Sequence, residues 1–340
     1  MQPGERFALF LRIILPLLFL TLFSITPASS AVSEGLRAAR TARANGFHQE
    51  AAENLRQVLL HEPWRVWVWE QVGQEEKETG RLPQAVEALN QAKAAGSLSP
   101  QGLFELGEAY LEQKNADAAE ASWEELLWKG KSLPEGLAAR TYESLAQLQR
   151  SRGDFGAAAE TLRAWHSTDP KNSYATFLLG LQLSVVQPDQ ALGLLVEAAG
   201  QDQSYSAAVQ KIRTGINIAG ESDNPGYSWL IIGRGLGSAG QWDLAAEAFR
   251  QAVLVAPDYA EAWAFQGEAK FHLGKDGQAD LDRALALNEK SAVVRALLAL
   301  NFRRQGKYDL ALENLETVAV LEPDEPMWEV ELGQYLGGKR

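Results

Sequence analysis

Small and large apolar residues recur along the chain with one long period. Ala51, Ala85 and Ala119 stand 34 residues apart, and so do Ala245 and Ala279. Four residues after such alanines, including Ala158 and Ala311, comes a large apolar residue: Leu55, Leu89, Trp123, Leu162, Phe249 or Leu315. Each alanine follows closely on a glycine or polar turn, at Gly46, Gly80, Asn115, Gly153, Gly240, Gly274 or Gly306. Upstream, an aromatic residue and a Gly or Ala stand four apart, as in Trp69/Gly73, Tyr142/Ala146, Trp229/Gly233 and Trp263/Gly267. A spacing of four places two residues on one face of an α-helix. Each period therefore predicts a helix, a turn and a second helix. Gly73, Gly107, Gly180, Gly233 and Gly267 on the first helices, with Ala85, Ala119, Ala158 and Ala245 on the second, let the two approach closely. The large residues fill the space between periods, because one helical hairpin cannot bury its own apolar face. Proline at Pro63, Pro170, Pro257 and Pro323 closes several units by ending the second helix.

This pattern resembles the tetratricopeptide repeat family, whose unit is a 34-residue helix–turn–helix. The fullest copy is Gly226 to Asp258, where Trp229, Ile232, Gly233, Leu236, Gly240, Trp242, Ala245, Phe249, Ala252 and Pro257 match. The copy ending at Pro323 matches at Leu298, Ala299, Phe302, Gly306, Tyr308, Ala311, Leu315 and Val318. The resemblance implies an all-α fold, a right-handed superhelical solenoid of such repeats. Copies fall at 32–65, 66–99, 100–133, 139–172, 173–203, 226–259, 260–289 and 292–325. Residues 32–203 then form an N-terminal array, and residues 226–340 a C-terminal array ending in a capping helix at Pro326–Leu336. Between them, 204–225 is irregular. Tyr205, Ala208, Val209, Ile212, Ile216 and Ala219 share one helical face, and Glu221–Pro225 is a run of turn formers. Extra residues at Gly130–Pro134, and shortened turns at Gln187–Asp189 and Gly274–Gly277, are local departures.

Residues 1–31 read as an address. Arg6 and Arg12 precede the apolar run Ile13–Ile25, and small residues follow at Ala28–Ala31. A positive start, an apolar stretch and a small-residue exit describe a secretory signal peptide. Export to the cell envelope or outside the cell is the expectation. The alternative is a retained membrane anchor, which needs about 20 apolar residues and is interrupted here by Arg12 and Pro16.

Composition narrows the chemistry. The 340 residues include no cysteine, which removes disulfides, thiolate catalysis and Cys-ligated metals. His48, His61, His166 and His272 have no partners at metal-ligand spacing, so no metal and no cofactor is expected. Lys and Arg number 32 against 44 Asp and Glu, a formal charge of −12, which argues against nucleic acid as partner. Carboxylate runs such as Glu75–Glu76, Glu124–Glu125 and Asp280/Asp282 read as solvated helix faces. Gly235-Leu-Gly-Ser-Ala-Gly240 fits the glycine spacing of dinucleotide-binding folds, but that fingerprint needs strand, turn and helix. Here the repeat register makes the segment helical up to Gly240, and a nucleotide-binding enzyme is the remote alternative. The alternating Trp64, Trp67 and Trp69 fall at the start of the second copy's first helix. With repeats filling the chain, no enzyme is expected.

In the family the resemblance points to, first helices line the groove, and positions 2, 5, 9 and 12 of each copy face the ligand. Carried over, these give Trp67, Glu70, Gln74 and Lys77; Gln101, Phe104, Glu108 and Leu111; Arg140, Glu143, Gln147 and Arg150; Tyr174, Phe177, Leu181 and Ser184; and Tyr227, Leu230, Arg234 and Gly237. Among these, Phe104, Glu108, Arg140, Tyr174, Phe177, Tyr227, Leu230 and Arg234 are the candidate peptide-binding residues. The implied function is a non-catalytic scaffold that holds a protein or peptide segment in its concave groove. The Lys/Asn clamp by which chaperone-binding relatives hold a terminal carboxylate is absent, since Glu70/Gln74, Phe104/Glu108 and Glu143/Gln147 stand in its places. Membrane contact follows only if the N-terminal helix is retained, and an uncapped end of the stack leaves self-association open.

Overall fold

A computed structural model describes residues 30–129, 133–134 and 136–323. Those residues form seventeen α-helices and no strand. In chain order they are α1 (30–44), α2 (His48–His61), α3 (Val68–Glu78), α4 (Leu82–Ala94), α5 (Pro100–Glu112), α6 (Ala116–Trp128), α7 (Leu137–Ser151), α8 (Phe155–Thr168) and α9 (Ser173–Leu183). There follow α10 (Pro188–Gln201), α11 (Ser206–Gly220), α12 (Pro225–Ser238), α13 (Trp242–Val255), α14 (Ala260–His272), α15 (Gln278–Leu287), α16 (Ala292–Arg304) and α17 (Tyr308–Leu321). Eight helical hairpins thus coincide with the eight sequence periods. The address at 1–31 falls, except for its last two residues, outside the described part, and the capping helix expected at 326–336 lies wholly outside it.

One turn recurs between the helices of a hairpin. Phe47, Arg81, Asn115, Asp154, Gln241, Lys275 and Lys307 each donate their N–H to the carbonyl five residues back, at 2.8–3.0 Å. That bond satisfies a carbonyl which the helix end leaves free. It requires left-handed backbone just before the donor, and glycine supplies it in six of the seven turns, as at Gly240 with φ +80°. In the third hairpin the left-handed residue is Lys114, with φ 62°, while Asn115 caps α6 by accepting from the Ala118 N–H at 3.3 Å. The fifth turn is shorter and closes instead through Gln187 N–H to the Leu183 carbonyl at 2.7 Å.

Contacts divide the chain into two compact units, one ending at Leu148 and one starting at Gln149. In the first, the small and large positions meet as the period predicts. A methyl group on Gly107 would stand 2.3 Å from Trp123 Nε1, and one on Gly73 would stand 2.5 Å from Leu89. Trp123 also donates to the Phe104 carbonyl at 3.2 Å, which satisfies its indole in a core shared with Leu89, Leu103, Leu106 and Leu126. A second cluster joins Val32 and Ala39 of α1 to Leu55, Val58, Val68 and Val72. α3 begins at Val68, so Trp64 lies in the preceding turn, 69% exposed, while Trp69 packs against this cluster.

The reading of Glu75–Glu76 as a solvated face is corrected here: both are buried, at 2% and 0% exposure. Their neighbours are cations of α1, α2 and the turn before α4. Arg43 and His48 pair with Glu75, the latter at 2.8 Å, and Arg56 and Arg81 flank Glu76. Buried carboxylates are tolerated only with such compensation. Asp280 is buried likewise, at 5% exposure, and pairs with Lys270 at 2.6 Å.

In the second unit, Phe249 lies against Gly233, where a methyl group would come within 2.4 Å of the ring, and stacks on Phe265 at 5.4 Å. The irregular stretch is a 3-10 turn, Gln203–Tyr205, followed by α11, which buries Val209, Ile212, Ile216 and Ala219. α11 packs on α12 at backbone distance: a methyl group on Gly215 would stand 2.8 Å from the Ile231 carbonyl oxygen, and one on Gly235 would stand 3.1 Å from that of Lys211. Asn224 caps α12 by accepting from Tyr227 N–H at 3.1 Å. The glycines of the apparent dinucleotide fingerprint are therefore explained by helix packing. Gly235 faces α11, Gly237 faces Trp242 and Gly240 makes the turn. They lie in and just after α12, and no strand precedes them among the described residues.

Candidate peptide-binding face

First-helix side chains of the first unit are tied from one hairpin to the next. Glu70 on α3 accepts from the Ser99 N–H at 2.8 Å and from its hydroxyl, while that hydroxyl caps α5 by accepting from Gly102 N–H at 3.0 Å. A carboxylate at this helix start is favoured by the free N–H groups and the helix dipole. Gln74 donates to Glu105 at 3.0 Å, and Gln101 reaches the same carboxylate at 2.8 Å. Lys77 pairs with Glu108, whose other oxygen lies 3.9 Å from Arg140. Arg140 in turn sits 4.4 Å over the Phe104 ring. The result is a polar ladder along α3, α5 and α7 with exposed apolar ledges at Trp67 and Leu111 and an exposed stripe at Arg140, Glu143 and Gln147. Side chains already held in place lose less freedom when a ligand arrives.

Phe104 itself is only 1% exposed and supports Arg140 from beneath rather than presenting its own ring. Among the residues selected from sequence in this unit, Glu108 and Arg140 carry accessible surface.

In the second unit α9 is buried around most of its circumference. Phe177 stacks on Tyr205 at 4.3 Å with the rings 9° apart, and Leu181 and Ser184 are buried as well. The apolar composition of α9, which from sequence suggested an aromatic end to the ligand surface, serves internal packing at those three positions. Tyr174 remains open at 37% exposure, held edge-on to Trp165 at 5.9 Å.

On α12, Leu230 is buried, Tyr227 is half-buried and Arg234 is exposed. Arg234 lies 5.4 Å over Phe265. Tyr227 and Arg234 line one cleft of about 660 Å³ with Gln210, Lys211, Thr214 and Ile218 of α11. Nearby, Tyr259 has its phenol pushed above the usual 10.0 by burial and by the Glu261 carboxylate, with Arg234 pulling it partly back. The α11 residues were not selected from sequence. Their signal was the polar face opposite Val209, Ile212 and Ile216, visible once the helix is assigned. Further along, Glu261 takes the Ser291 hydroxyl at 2.6 Å, and Glu268 holds Arg304 through two bonds of 2.6 Å, the same kind of tie as in the first unit.

Residues 73–134 and 232–292 match the family model of the tetratricopeptide repeat. The chain has the tetratricopeptide repeat fold. The matched repeats contain Phe104, Glu108 and Arg234, whereas Arg140, Tyr174, Phe177, Tyr227 and Leu230 lie outside them. Among solved structures, the MamA protein is 18% identical, covering 53% of this chain and 96% of its own, with a TM-score of 0.44. A tetratricopeptide repeat protein from Parabacteroides merdae is 12% identical, covering 90% and 99%, with a TM-score of 0.41. YrrB, described as a tetratricopeptide repeat protein with an unusual peptide-binding site, is 15% identical over 62% and 97%, with a TM-score of 0.37. A search of curated proteins gives no match.

Proposed function

We propose that this protein is a non-catalytic scaffold whose first-helix face holds a protein or peptide segment, and that it works outside the cytoplasm. Repeats of this fold are typical of protein–protein interaction scaffolds. The observation that carries the reading is the first-helix face of α3, α5 and α7, where inter-hairpin hydrogen bonds fix polar groups beside the exposed Trp67 and Leu111. Such a surface offers anchors for apolar side chains and pre-placed partners for backbone and polar groups. Export is supported by Arg6, Arg12, the apolar run at 13–25 and the small residues at 28–31.

Replacing Trp67 and Leu111 together with Ala should abolish recovery of the partner from the native host while leaving the urea midpoint unchanged. Loss of both together would make these side chains part of the core and overturn the assignment. The mass of the protein recovered from its host tests export: loss of residues 1–31 is expected, and an intact N-terminus in the membrane fraction would show retention instead.

A further inference from the structure

We infer that the cleft between α11 and α12 binds an acidic, partly apolar segment of a protein partner, with Arg234 and Lys211 receiving its carboxylates. The inference deepens the scaffold reading and rests on it. Charge complementarity carries it. The chain as a whole has a formal charge of −12, yet among the described residues no Asp or Glu lines this cleft, while Lys211 and Arg234 both do. Arg234 makes no ion pair among the described residues; its exposed guanidinium is oriented by the Phe265 ring at 5.4 Å. All its N–H donors are left for a ligand. Lys211 uses one donor on the Ser238 carbonyl at 2.8 Å, at the end of α12, and keeps its others. Glu261, the carboxylate that acts on Tyr259, is occupied by the Ser291 hydroxyl.

The walls suit a segment that alternates acidic and apolar groups. Ile218, 40% exposed, and the Tyr227 ring give apolar surface beside the cations, and Thr214 and Gln210 add neutral hydrogen-bonding groups. The floor is rigid, because α11 and α12 touch through Gly215 and Gly235 with no room for a side chain between them. α11 lies outside the repeat register, so one wall of this cleft is the inserted helix and the other is α12, the first helix of the next repeat.

The test uses the full-length protein and a fluorescein-labelled peptide of alternating Glu and Leu, read by anisotropy, with an alternating Lys and Leu peptide for comparison. The Glu peptide should bind, and more weakly as salt is raised. Arg234→Ala and Lys211→Ala should each weaken it, Arg234→Ala by about tenfold, as expected for a lost hydrogen-bonded charge contact. Arg213→Ala removes the same charge from an exposed position of α11 outside the cleft and should change nothing. Equal binding of the Lys peptide, or no binding of either, overturns the acidic-segment inference. Binding of the Glu peptide that ignores Arg234 and Lys211 overturns the site. None of these outcomes touches the Trp67/Leu111 test, so failure here is distinguishable from failure of the scaffold reading.

Discussion

The packing of glycines against large side chains makes a prediction whose sign depends on position. Gly193 lies in α10 and is exposed, with open space where a methyl group would go. Gly233 lies in α12 under Phe249, where the same methyl group would come 2.4 Å from one ring carbon and 2.6 Å from another. Replacing a mid-helix glycine with alanine gains about 1 kcal/mol of helix propensity at either site. At Gly193 nothing opposes the gain, so Gly193→Ala should stabilise by about 0.5–1 kcal/mol. At Gly233 the contact is too short for any real carbon pair. Phe249 is 1% exposed and stacked on Phe265, so its ring has nowhere to go without disturbing the next hairpin. Overpacking costs about 1–3 kcal/mol, which cancels or exceeds the propensity gain. Gly233→Ala should therefore be neutral to about 2 kcal/mol destabilising. Phe249→Leu makes room, so the double variant should be more stable than the two single effects sum to, with a coupling of about 0.5 kcal/mol or more. Urea unfolding followed by circular dichroism gives the midpoints and slopes, and the slope matters because repeat arrays can lose cooperativity. If Gly233→Ala stabilised as much as Gly193→Ala, the register of α12 against α13 would be wrong.

Three further outcomes follow from other parts of the structure. Glu76→Gln removes the charge of the buried carboxylate that Arg56 and Arg81 share and should cost about 1–3 kcal/mol; an unchanged urea midpoint would show that the two arginines need no partner there. Ala245→Phe forces a ring into a fully buried position and should cost about 1–3 kcal/mol by thermal melt. The Tyr259 phenol should ionise above 10.0, and further up in Arg234→Ala because that cation favours the phenolate. Since the unfolded chain ionises first, Tyr259 subtracts stability as pH rises past 10.0 toward its folded value. Difference spectra against Tyr259→Phe report both effects, and a titration unmoved by Arg234→Ala would separate the two side chains.

The hairpins were legible from the sequence because the signal there is local and repeated. Alanine and glycine at fixed spacing, with a large residue four positions on, leave few other ways to pack. α11 was also readable from the spacing of Val209, Ile212, Ile216 and Ala219, and its glycine contact with α12 was not, since Gly235 already had a reading in the repeat pattern. The burial of Glu75 and Glu76 escaped because their cations come from α1, α2 and the turn before α4, at sequence distances where no periodicity links them. The same limit applies to the ligand face. Position within a repeat says which way a side chain leaves its helix, but the cover over Phe177 is Tyr205, outside the repeat register. For Phe104 the cover is Arg140, two helices further along the chain. The residues that stay most exposed, Arg140, Tyr174 and Arg234, are those whose neighbours leave one side open.

Photo-crosslinking in the native host tests the scaffold account most directly. A photoreactive amino acid would replace Leu111 on α5 or Tyr174 on α9, both on first helices, and Glu87 on α4 or Glu124 on α6, both exposed on second helices. The account predicts a discrete protein adduct from Leu111 and Tyr174 and none from Glu87 and Glu124. Adducts from the second-helix positions alone would place the partner on the opposite face and contradict it.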